Sequence, residues 1–109
     1  MNKINIKPLS VNEAWKGRRY KTTAYNNYER SLLYLLPCST IPLGALKIDI
    51  IYGFSNTGSD IDNPTKMLLD VMQKKYGFND SRIYELNIKK EIVKKGDEFI
   101  KYSIESLII

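Results

Sequence analysis

The residues best suited to chemistry lie in one stretch, Ser59-Asp60-Ile61-Asp62-Asn63-Pro64-Thr65-Lys66, with Asp80 following one helix length later. If Asp60 and Asp62 leave a strand in extended conformation, alternation of faces points both carboxylates to the same side, where they can share one metal ion. Asn63 is a good N-cap and Pro64 suits a first helical position, so a helix is expected to start here with Lys66 in its first turn, close to the carboxylates. Asp80 follows the helix stop at Gly77, and a strand-helix-turn path of this length is expected to return it towards Asp60 and Asp62. Three carboxylates and one ammonium group match Mg2+-assisted phosphodiester hydrolysis. The ion activates a water and neutralises phosphate charge, and Lys66 stabilises charge that develops in the transition state.

Blander readings apply to each residue alone. An Asp-x-Asp at a loop often caps a turn, and Lys66 with Asp70 at i,i+4 is an ordinary surface ion pair. For Asp70 a structural role is expected. An EF-hand fails on spacing, because Thr65 stands where the loop needs glycine and Val71 where it needs glutamate.

Composition limits the chemistry further. The 109 residues, 43% of them hydrophobic, suffice for one domain with one modest core, so residues 1–109 are read as a single unit. No run approaches the roughly 18 apolar residues of a membrane span, and the start lacks a signal-peptide apolar region, so a cytoplasmic protein is expected. The single cysteine, Cys38, is read as a buried or incidental thiol. The chain has no histidine, which excludes Ser-His and Cys-His catalysis and every imidazole-based nuclease chemistry. The net charge of +5 arises entirely in residues 1–36, which carry seven basic and two acidic side chains, whereas residues 37–109 carry ten of each. The excess is concentrated at Lys16, Arg18, Arg19 and Lys21, interleaved with Trp15, Tyr20 and Tyr25. A basic arm beside an acidic site fits a polyanion gripped in one place and cut in another. Asn12, in the same stretch, joins these four as a candidate DNA contact.

The positioning elements follow from periodicity. Ile4 and Ile6 alternate within a strand over Asn2–Lys7, and Leu9–Thr22 has no period and reads as a long surface loop. Thr23 is placed to cap a helix over Ala24–Leu36, with Tyr25, Tyr28, Leu32, Leu35 and Leu36 on one face. Leu46, Ile48, Ile50, Tyr52 and Phe54 form the buried face of a strand over Ala45–Phe54. A helix from Pro64 to about Tyr76 buries Met67, Leu68, Val71 and Met72. Tyr84, Leu86, Ile88 and Ile92 alternate within Arg82–Val93, and a turn around Gly96 reverses the chain into Phe99–Leu107, which predicts a hairpin. The expected fold is α+β, a small mixed four-stranded sheet with two helices in the order β-α-β-α-β-β.

Asp60-Ile61-Asp62-Asn63, then Lys66, Asp70 and Asn79-Asp80 after a glycine-ended helix, resemble the RusA family of Holliday junction resolvases. Its run is Asp-x-Asp-Asn, then Lys, then an acidic pair. Pro8-Leu9-Ser10-Val11-Asn12, followed by a basic, tyrosine-rich loop and a helix, resembles that family's opening. Asn79 stands where the family often has a second acid. The resemblance implies a homodimeric endodeoxyribonuclease that resolves four-way DNA junctions by paired symmetric nicks in recombination and repair. It implies Mg2+ as cofactor, with Mn2+ as a substitute, Asp60, Asp62 and Asp80 as metal ligands, and Lys66 as the catalytic lysine. The alternative from another class is a non-catalytic nucleic-acid-binding module with a structural carboxylate cluster.

Overall fold

A computed structural model describes residues 1–9, 15–16 and 20–107. In chain order its elements are β1 (Asn2–Ile4), β2 (Trp15–Lys16), β3 (Tyr20–Lys21), α1 (Thr23–Leu35), β4 (Leu46–Phe54), α2 (Thr65–Tyr76), a 3-10 turn (Asp80–Arg82), β5 (Ile83–Ile92) and β6 (Phe99–Ser106). The fold is the expected small mixed α+β domain, with a four-stranded sheet in the order β1-β6-β4-β5 and both helices packed on one of its faces.

β4 is the centre of the sheet because its sequence alternates at full strength. Leu46, Ile48, Ile50, Tyr52 and Phe54 are all buried. They meet Tyr25, Tyr28, Leu32 and Leu36 around α1 and Met67, Leu68, Val71 and Met72 on α2 in one hydrophobic cluster. Burial of this kind contributes about 1.5–3 kcal/mol per large apolar side chain, so the layer of helices on β4 carries most of the fold's stability. The opposite face of β4 carries Lys47, Asp49 and Ile51, and neither helix covers it.

The predicted hairpin is corrected. β5 pairs with β4 in parallel, β6 pairs with β4 antiparallel, and the two lie on opposite sides of it. Both compete for the same apolar strand, and their sequences sort them. β6 buries Phe99, Ile100 and Tyr102 and takes an interior place, whereas β5, with Lys89-Lys90-Glu91, takes the edge. The linking residues 93–98 cross the C-terminal end of β4, where the Val93 N–H donates to the Phe54 carbonyl at 2.8 Å. Spanning one intervening strand means covering about 10 Å, beyond the reach of a two-residue turn.

Several element boundaries also move. β1 is shorter than Asn2–Lys7, and Thr22, not Thr23, caps α1 by accepting the Tyr25 N–H. Residues 15–16 and 20–21 form a two-stranded ladder within the expected loop, pairing Trp15 with Lys21 and Lys16 with Tyr20. Cys38 is exposed. At Gly53 the fold admits no other residue without displacement, because an added Cβ would lie 2.3 Å from the Phe99 ring. Lys3 and Lys101 each place an ammonium 5.0 Å from that ring's centroid on the face away from the helices.

α1 and α2 run in the same direction. Glu29 pairs with Lys74 at 2.9 Å, Lys75 donates to the Leu33 carbonyl at 2.9 Å, and the Tyr76 hydroxyl donates to the Pro37 carbonyl. Since α2 returns from the end of β4 to the start of parallel β5, both helices begin at the C-terminal end of β4. Among the described residues, no helix is long and apolar enough to cross a membrane.

Candidate functional site

The end of the sheet where β4 stops and both helices start gathers most of the sequence-predicted residues. Asp60 lines a cleft of about 410 Å³ there with Lys7, Ser55, Asn56, Asn63 and Glu98. Asp62 and Lys66 flank it, the first exposed in the loop and the second exposed in the opening turn of α2. The ladder that carries Lys16 and Lys21 leads into the N-terminus of α1 and so belongs to this same end. Asn12, Arg18 and Arg19 lie outside the described residues.

The loop holding the two carboxylates is tied down by a buried relay. Thr65 Oγ1 donates to the Ile61 carbonyl at 2.8 Å, and its single proton is thereby committed. The Tyr52 hydroxyl, 2.9 Å away, must then be the donor to Thr65 Oγ1. Burial holds the Tyr52 phenol well above its ordinary pKa, so it stays protonated and remains a donor. The carbonyl between Asp60 and Asp62 is thus fixed through α2 to the core face of β4. The Asp62 carbonyl also accepts the Thr65 N–H at 3.2 Å. Asn63 does not cap the helix. Pro64 occupies the cap position without a side-chain bond, so Thr65, by reaching back to Ile61, does the anchoring that Asn63 was expected to do. Gly77 ends α2 in the left-handed conformation as expected, with φ 72°.

Lys66 Nζ lies 3.6 Å from Asp70 Oδ1, both at the surface. Asp80 is at the other end of the molecule. Its N–H donates to Gln73 Oε1 in the last turns of α2, and it opens the 3-10 turn that precedes β5. The 12 residues of α2, about 18 Å of helix, separate it from the Asp60–Asp62 loop. Within one chain the βα connection therefore carries Asp80 away from Asp60 and Asp62, because a strand parallel to β4 must begin at the far end of the sheet. Among the described residues no three carboxylates or thiols group closely enough to hold one metal ion.

Glu98 is the site residue that the sequence did not flag. It accepts the Ser55 hydroxyl at 2.8 Å and the Gly96 N–H at 2.8 Å. Its own backbone N–H, then the Ser55 hydroxyl and the Gly96 N–H, hold its carboxyl below the usual range. Its position on the cleft depends on the crossing of residues 93–98 over the end of β4, which only the sheet order reveals. Lys90 likewise spans to the loop, donating to the Ser59 and Thr57 carbonyls at 2.8 and 3.2 Å.

Chemically, this end offers two neighbouring hard oxygen donors on an anchored loop. Two helix N-termini add positive partial charge, and Lys7 and Lys66 add cations. No protein-family model matches the chain, and no curated protein matches it.

Proposed function

We propose that the chain is a Mg2+-dependent endonuclease of branched DNA, which nicks four-way junctions as a homodimer in the cytoplasm. The observation that carries this reading is the convergence at one end of the sheet: the anchored Asp60-Ile61-Asp62 loop, Lys66 in the opening turn of α2, and the start of α1 with its basic ladder. The donor set fits Mg2+ in kind, since that ion takes one or two carboxylates together with water and substrate phosphate oxygens. Asp60 and Asp62 would hold it, and it would supply an activated water and neutralise phosphate charge. Lys66, released from Asp70 by a competing phosphate, would stabilise charge at the scissile group. Lys16 and Lys21, with Asn12, Arg18 and Arg19 nearby in sequence, would grip the flanking backbone. The two helix N-termini favour phosphate at this end.

The place of Asp80 favours a second reading, a nucleic-acid-binding module in which the carboxylates only shape the loop. Nicking of a synthetic four-way junction in Mg2+ by the parent and by Asp62→Asn separates the two. The endonuclease loses cutting by orders of magnitude while junction affinity in EDTA holds. A parent that binds but never nicks belongs to the second reading.

A further inference from the structure

The sheet leaves one long side open. β5, ten residues, is hydrogen-bonded only to β4 among the described strands, so its outer row of N–H and C=O groups has no strand partner. Its apolar side chains on the helix side are also left half covered, with Leu86 at 38% and Ile92 at 50% exposure. A long unpaired edge of this kind is a template for another strand, and proteins usually blunt it with charge. The charges on β5 blunt every nearby register but one.

In an antiparallel pair, directly opposed residues share a face. A two-fold axis through Asn87 opposes Asn87 to its own copy, and it sets Glu85 against Lys89 twice and Leu86 against Ile88 twice. Glu85, Asn87 and Lys89 lie on the open face, aligned with Lys47, Asp49 and Ile51 of β4, and Leu86 and Ile88 lie on the helix side, aligned with Ile48 and Ile50. Opposite charges thus meet in water and apolar groups meet beside the core. A slip of two residues in one direction opposes Glu85 to Glu91. A slip in the other direction leaves Glu85 against Asn87 and removes both ion pairs. Cross-strand pairs of like charge destabilise by as much as opposite ones stabilise, so sequence selects the register.

We propose that two copies of the chain pair edge to edge through β5, antiparallel about a two-fold axis at Asn87, and join two four-stranded sheets into one. This assigns the surface of the homodimer proposed above and has a consequence for the site. β5 starts at the Asp80 end of each protomer, so the axis brings Asp80 of one copy to the end of the sheet that carries Asp60 and Asp62 of the other.

Disulfide trapping tests the pairing without reference to nicking. In a Cys38→Ser background, Asn87→Cys places two thiols directly opposite across the axis, with Cα atoms about 4.5–5.5 Å apart, inside the range a disulfide accepts. Mild oxidation should convert most of the chain to a covalent dimer of twice 12.6 kDa, whereas Glu91→Cys in the same background should remain monomeric on denaturing gels. Sedimentation supplies the second arm. Glu85→Lys or Lys89→Glu alone should weaken the parent dimer roughly tenfold or more, and the double exchange should restore it, because it rebuilds both opposed pairs. A parent that is monomeric throughout the micromolar range overturns the proposal. So does trapping at position 91 in preference to 87, or a dimer indifferent to both charge reversals. None of these results depends on whether the parent cuts DNA.

Discussion

Replacing Thr65 with valine should be more damaging than its position in the first turn of a helix suggests, because its side chain is buried. The substitution keeps shape and β-branching but deletes the one atom that serves both Tyr52 and Ile61. The Tyr52 hydroxyl would be left buried without a partner, which costs about 1–3 kcal/mol, and the Ile61 carbonyl would lose a neutral bond with a net value of about 1 kcal/mol. The sum, about 2–4 kcal/mol, is a large part of the 5–15 kcal/mol typical of a domain. Tyr52→Phe removes the same hydroxyl together with its need for a partner and leaves the Thr65 to Ile61 bond intact, so it should cost only about 1 kcal/mol. The double variant should lie below Thr65→Val in cost, since no buried donor is orphaned, and Thr65→Ser should stay near the parent. Urea unfolding followed by tryptophan fluorescence measures all four. With m near 1–3 kcal/mol/M, Thr65→Val should shift the midpoint by about 1–2 M. If Tyr52→Phe cost more than Thr65→Val, or if the double variant cost the sum of the singles, the relay would not be what holds the loop.

Gly53→Ala should destabilise by about 1–3 kcal/mol through the clash with Phe99, and a Phe99→Leu background should recover most of that loss in a thermal melt. Alkaline titration should unfold the chain from about pH 10 upward. Tyr28, Tyr52 and Tyr102 all have folded-state pKa values raised above the ordinary 10.0, chiefly by burial, so the stability they contribute is complete below that pH and is lost as pH rises through their titration. Tyr52→Phe should flatten that loss in a circular dichroism series, and an unchanged slope would count against it. For the site, Asp62→Asn and Asp80→Asn should each abolish junction nicking, and mixing the two after co-refolding should recover part of it. Such rescue requires the two carboxylates to act from different copies, so a mixture that stays inactive argues against a shared site. Lys66→Ala should suppress nicking while leaving Mn2+ affinity, read by calorimetry, at the parent value.

The parts of the fold that were legible in the sequence are those set by local periodicity. The five alternating residues from Leu46 to Phe54 and Met67, Leu68, Val71 and Met72 of α2 face the core as their spacing predicted, and Gly77 stops α2 because only a residue tolerant of positive φ fits there. What was not legible depends on which strand is found by which. Residues 83–92 and 99–106 read as a hairpin because they are adjacent alternating segments joined by a turn around Gly96, whereas their burial against β4 decides the order. The same ignorance of strand direction misplaced Asp80. Spacing gives the distance along the chain but not the end of the sheet at which it arrives. Glu98 and the Tyr52–Thr65 relay join residues 43 and 13 positions apart from their partners, and no motif advertises either.

The interior position of β6 has a consequence for how the chain is made. Asn2 pairs with Tyr102, one hundred positions later, so β1 emerges from the ribosome long before β6, its neighbour among the described strands, exists. At roughly 5–20 residues per second that interval is about 5–20 s, during which one side of β4 also stays open. The nascent chain can form α1, and can dock α2 and β5 on β4, but the sheet closes only when β6 slides between two waiting strands. Closure of this sheet is therefore gated by β6, the latest in sequence of the described strands, and the half-built sheet is the species that chaperones or self-association would meet.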